Sequence, residues 1–128
     1  MIIGNGGSAA EAQHLAAEFL GTYGGRQTPL PAIALTTDTS TITAIANDLG
    51  FKEIFARQLI ALGKPGDILI GMSTSGESEN INYAYEWAEK MDIEVIDFPR
   101  DGYSVAEIQN KHLELIHDIC SLVGEEFE

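Results

Sequence analysis

The sequence predicts an α/β domain: a parallel sheet covered by helices on both faces, in three α/β/α layers. Two observations predict it. Short apolar runs at 1–3, 32–35, 68–72 and 93–96 alternate with longer segments of helical composition, the pattern of parallel strands joined by helical crossovers. The chain has 128 residues, 45% of them hydrophobic, which suits one core and not two.

Taken in order, Met1-Ile2-Ile3 runs into the turn Gly4-Asn5-Gly6-Gly7-Ser8 like the tail of a buried strand. More strand is expected before such a turn, so an incomplete amino terminus is expected. Ser8 is the expected N-cap of a helix over 9–20, built from the good helix formers Ala, Glu, Gln and Leu. Residues 21–31 hold three Gly and two Pro and read as a loop. The second strand, 32–35, ends in Thr36-Thr37-Asp38-Thr39-Ser40, where Ser40 or a neighbour caps a helix over 41–47. Phe51, Ile54, Phe55, Leu59 and Leu62 fall at helical spacing over 51–62, and Gly63-Lys64-Pro65-Gly66 breaks that helix. Strand 68–72 leads through a turn to a helix over 80–90, then strand 93–96. Beyond Ile96 the alternation falters. Asp97-Phe98-Pro99-Arg100-Asp101-Gly102 enters a last helix, 104–123, directly. A further strand–turn–strand is expected there, so an absent segment is expected.

The turn Ser73-Thr74-Ser75-Gly76-Glu77-Ser78 sits between the carboxyl end of a strand and the amino end of a helix. Free backbone N–H groups and the positive end of the helix dipole suit an anion there, and four side-chain hydroxyls can each donate to it. In isolation the same stretch suits an ordinary capped turn. In open parallel sheets, however, ligands lie beyond the carboxyl ends of the strands. Three turns at those ends (4–8, 36–40 and 73–78) are rich in Gly, Ser, Thr, Asn and Asp, and together they point to a polar, phosphorylated ligand.

Charge narrows the partners. The formal net charge is −13, with seven Lys and Arg, a field that repels nucleic acid and anionic membrane. A phosphate site is then expected to rely on dipoles and hydroxyls. No apolar run approaches the ~20 residues of a membrane span, and no secretory signal is present. Cys120, alone, cannot form an internal disulfide; a buried structural thiol in a reducing cytoplasm is the expectation. Gly4-Asn5-Gly6-Gly7-Ser8 is not G-x-G-x-x-G and lacks the P-loop lysine, so nucleotide sites are poorly supported.

His14 and Glu18 lie four apart on one helix face. Such a pair can hold a metal or supply a base, and equally suits a solvated helix contact. Gln109 and His117, eight apart on the last helix, share a side, whereas His112 lies off it as a surface or supporting residue. Tyr83, Tyr85 and Trp87 read as packing.

With these residues in hand, the chain resembles SIS (sugar isomerase) domains, and among them the sedoheptulose-7-phosphate, or phosphoheptose, isomerases. The resemblance runs through Gly4-Asn5-Gly6-Gly7-Ser8-Ala9-Ala10, Ala12-Gln13-His14 to Glu18, 30–40, Thr43-Ala44-Ile45-Ala46-Asn47-Asp48, Ile70-Gly71-Met72-Ser73-Thr74-Ser75-Gly76, Ile108-Gln109 and Ile116-His117. It implies one flavodoxin-like SIS domain over 1–128, a homotetramer with sites assembled from neighbouring subunits, and heptose supply for lipopolysaccharide or related glycans. The implied reaction interconverts sedoheptulose 7-phosphate and glycero-manno-heptose 7-phosphate. By position, Glu18 and His117 resemble the acid/base pair. Asn5, Gly6, Gly7, Glu18, Asn47, Asp48, Ser73, Thr74, Ser75, Ser78 and Gln109 resemble substrate contacts. His14, Glu18, Gln109 and His117 resemble the ligands of a zinc ion found in some members. A zinc-bound glutamate is a weaker base, so the two roles of Glu18 compete. The chain departs from the family at Thr22, where a basic residue is usual and Arg26 is the nearby substitute, at Glu107, where Arg is usual, and in the N-terminal helices it lacks. A non-catalytic SIS branch that binds the replication initiator DnaA shares several motifs but lacks the acid/base pair, and SIS sensor modules that bind a sugar phosphate normally come fused to a DNA-binding domain.

Overall fold

A computed structural model gives residues 1–26 and 28–127 of the chain; Gln27, inside the expected 21–31 loop, lies outside the described residues. Three strands, β1 (Ile2–Gly4), β2 (Ile68–Met72) and β3 (Glu94–Asp97), form a parallel sheet in that order. Ile2 pairs with Ile70, and Ile68 with Glu94. The expected second strand is reduced to a single parallel bridge, Ile2 to Ala34, flanked by Ile2 N–H to the Ile33 carbonyl and Leu35 N–H to the Ile2 carbonyl, both 2.9 Å. The prolines at 29 and 31 donate no N–H, and no longer ladder forms on that edge.

The pleat sorts the strand residues into two cores. Ile2, Ile70 and Met72 pack with Ala12, Leu15 and Ala16 of α1 (Gly7–Leu20) and with Ile116 and Cys120 of a long final helix. Ile3 and Leu69 face the other way, onto Leu59, Ile81, Ala84 and Ala88. That second layer is α3 (Ala56–Leu62) and α4 (Glu79–Lys90), reached through α2 (Thr39–Leu49). The final helix, α5 (Val105–Glu126), is capped by Ser104, which accepts from Glu107 N–H at 3.2 Å. The three-layer α/β/α reading is correct.

Three local expectations change. Gly6, not Ser8, caps α1, with φ of 58°, a backbone region that favours glycine; Ser8 is buried in the first turn. Asp38, not Ser40, caps α2, its carboxylate accepting from Thr41 N–H at 3.1 Å. The 51–62 helix is broken into a 3₁₀ turn, Phe51–Glu53, and α3.

Candidate active site

The segment at 32–35 lies on one side of β1 and β2 on the other, and the helices after β1 and β2 occupy opposite layers. The chain therefore reverses winding between β1 and β2, and a crevice opens at their carboxyl ends. The 4–8 and 73–78 turns meet there. Asn5 and Asn80 exchange amide hydrogen bonds of 2.9 and 3.0 Å across it. Asn80 is buried, and the sequence reading missed it; a polar residue on the inward face of α4 was the available signal.

In the 73–78 turn, Ser73 Oγ accepts from Gly76 N–H and Ser75 Oγ accepts from Glu77 N–H, each at 3.0 Å. With an acceptor position filled on each oxygen, both hydroxyl protons remain free to donate. Ser75 is exposed and Thr74 and Ser78 are half-buried at the mouth of the crevice. The opposite wall is Gly7, where an added Cβ would overlap the Gln109 amide of α5. Asn5, Gly6, Gly7, Ser73, Thr74, Ser75, Ser78 and Gln109 are thus gathered by the two turns and the start of α5. The 36–40 turn plays a different part. Thr36 Oγ1 donates to the Ala9 carbonyl at 3.2 Å, Thr37 Oγ1 to Ala34, and Asp38 caps α2, so these groups hold the fold.

A second cluster lies further along α1. His14 Nε2 is 3.2 Å from Glu18 Oε1 and 3.4 Å from His117 Nε2 of α5. Tyr23 stacks parallel to the His117 ring, with centroids 6.0 Å apart. Gln109 is eight residues before His117, about 12 Å along the helix, so one chain does not bring it to His14, Glu18 and His117. Asn47 and Asp48 form a third group at the exposed end of α2, Asn47 Nδ2 donating to Asp48 at 3.0 Å.

Ligands of a tetrahedral zinc ion, with bonds of about 2.0–2.1 Å, stand about 3.4 Å apart. The two separations from His14 match, and imidazole and carboxylate are donors zinc accepts. Among the described residues, however, no three His, Cys, Asp or Glu side chains converge as a metal site.

Other residues are supports. Arg26 is buried, and its Nη2 donates to the Glu18 and Phe19 carbonyls at 2.8 and 2.7 Å. It satisfies the carboxyl end of α1, so the nearby substitute for the family's basic residue is engaged in the fold. His112 is fully buried on the stripe Ile108, His112, Ile116, Cys120, not on the surface. Its Nε2 donates to the Pro99 carbonyl at 2.7 Å. Burial pushes the Cys120 thiol up to about 11, which keeps it neutral and unreactive.

Glu11 has a buried Oε2 without a hydrogen-bond partner, and burial pushes its carboxyl up from 4.5 to about 7. An acid raised in the folded state contributes stability that is complete below pH ~4.5 and lost as pH rises through about 7. Glu11→Gln is therefore expected to raise the melting temperature over wild type more at pH 8 than at pH 5. Equal differences at both pH values would remove Glu11 from the account.

The SIS domain model matches residues 1–98. The phosphoheptose isomerase of Campylobacter concisus is 46% identical over 143 residues, covering 99% of this chain and 76% of the relative. This chain belongs to the phosphoheptose isomerase family of SIS-domain proteins. The family member of Aquifex aeolicus is also 46% identical, over 98% of this chain and 74% of its own. The solved phosphoheptose isomerase of Neisseria gonorrhoeae superimposes with a TM-score of 0.88 at 41% identity, over 97% of this chain and 76% of that one. The alignment spans 143 positions against 128 residues here, so it places gaps within this sequence relative to the Campylobacter relative.

Proposed function

We propose that this protein interconverts sedoheptulose 7-phosphate and glycero-manno-heptose 7-phosphate through an enediol. The contact of His117 with His14, 103 positions apart in sequence, and of His14 in turn with Glu18, carries this reading. It lines up a carboxylate, an imidazole beside it and a second imidazole beside the first, groups that can move a proton next to a carbonyl. Glu18 Oε1 faces His14, leaving Oε2 for the substrate. That oxygen takes the C1 proton of the ketose, and O2 gains the charge as the deprotonated C1–C2 enediol forms; Glu18 then returns its proton to C2 while the O1 hydroxyl proton passes to O2, leaving the aldehyde at C1. His117 steadies the oxygen that gains charge. The 73–78 hydroxyls anchor the phosphate and so fix the reacting carbons.

His14, Glu18 and His117 would hold a zinc ion, which when bound supplies a Lewis acid for the carbonyl oxygen. We assign the protein to the cytoplasm as a homotetramer. Two features support assembly: one chain leaves its three residue groups apart, and α2, which carries Asn47 and Asp48, has no buried residue. Among the described residues no helix is long and apolar enough to cross a membrane.

The test is an isomerisation assay with sedoheptulose 7-phosphate, with chelator and then with zinc restored. Heptose 7-phosphate is expected, reduced by chelator and recovered with zinc. A folded protein that forms none under any condition would overturn the reading.

A further inference from the structure

The 73–78 turn contains no cation, and Glu77 and Glu79 lie in and beside it. We propose that Arg100, from the segment after β3, is a phosphate-recognition residue of this turn; the proposal rests on the sugar-phosphate reading above. Its guanidinium lies against the turn. A Cβ at Gly76 would come within 2.8 Å of Arg100 Nε and 3.2 Å of Nη2. Gly76 also has φ of 72°, a backbone region that favours glycine, and the missing side chain leaves room for the guanidinium.

The guanidinium is held in place from its other edge. Nη1 and Nη2 donate to the two Asp97 oxygens, each at 3.0 Å, and a two-bonded fork of this kind fixes the plane of the group. Tyr85 Oη donates to the same carboxylate at 2.9 Å. The backbone between Asp97 and Arg100 is pinned by buried Phe98 and by the Pro99 carbonyl, which accepts from His112. Five N–H groups belong to a guanidinium; Asp97 takes two. Of the three left, Nε–H belongs to the edge against Gly76. Those donors add a cationic edge to the hydroxyls and helix dipole of the turn.

The test measures KM for sedoheptulose 7-phosphate, and the inhibition constant of inorganic phosphate, in the full chain. Arg100→Gln is expected to raise both about tenfold, with kcat within about twofold, a loss comparable to one charged hydrogen bond. Arg100→Lys is expected to recover part of the loss. Asp97→Asn combined with Arg100→Gln removes repulsion from a stranded carboxylate and is expected to keep both constants raised; a return to wild-type values overturns the proposal. Ser75→Ala separates the two readings. If it raises both constants and Arg100→Gln does not, Arg100 has no part in recognition, whatever its effect on melting temperature. If neither variant moves either constant, the phosphate reading fails and takes the proposal with it.

Discussion

Glu18→Gln is expected to lower kcat by about 10²–10⁴-fold, the usual contribution of a positioned acid or base, while KM changes little. Glutamine has the same length and shape and still meets His14. It cannot accept a proton. An interaction used only in the transition state lowers kcat and kcat/KM together and leaves binding alone. The decisive readout is exchange of the C1 hydrogen of sedoheptulose 7-phosphate with deuterium from solvent. Exchange is expected to vanish with turnover, because both need the same abstraction. Exchange at the wild-type rate would mean another group removes that proton, and the role of Glu18 would be lost.

The second large effect concerns stability. Gly71 lies in the central strand, on the face covered by α4, and a Cβ there would overlap the Tyr85 hydroxyl and ring. Tyr85 cannot simply withdraw, since its hydroxyl is fixed to Asp97 and Ala84 and Ala88 on either side are buried. Gly71→Ala is expected to cost about 1–3 kcal/mol by overpacking, a fall of roughly 5–15 °C in melting temperature. Adding Tyr85→Ala should return part of it, and a double-mutant cycle reads the coupling. Strict additivity of the two changes would show that ring and strand do not meet as described.

Much of this was legible in the sequence because it depends on period and order. Strand runs alternating with helices determine the layers, and turn chemistry at strand ends marks the crevice. Gly4-Asn5-Gly6-Gly7 was legible as a turn, though not that Gly6 caps α1 while Gly7 makes room for Gln109. What was not legible depends on residues far apart in sequence. Asn80 could not be linked to Asn5, nor Arg100 to Gly76, because nothing local records which polar groups face each other. His112 proved a supporting residue and not a surface one; both stayed open because its side was judged against Gln109 and His117. Its spacing of four from both Ile108 and Ile116 was the better guide. Arg26 was assigned by proximity to Thr22, and only the folded backbone shows that the exposed carbonyls of α1 claim it.

The paired amides of Asn5 and Asn80 span 75 residues of sequence. Contacts between distant residues carry a loop-closure cost that must be met before they contribute, and they tend to form late in folding. During synthesis, the first glycine turn would therefore wait unclosed until the strand at 68–72 and the helix after it had left the ribosome. Ligand competence is then a property of the last stage of folding, and partly folded chains, even with α1 formed, would present no binding crevice.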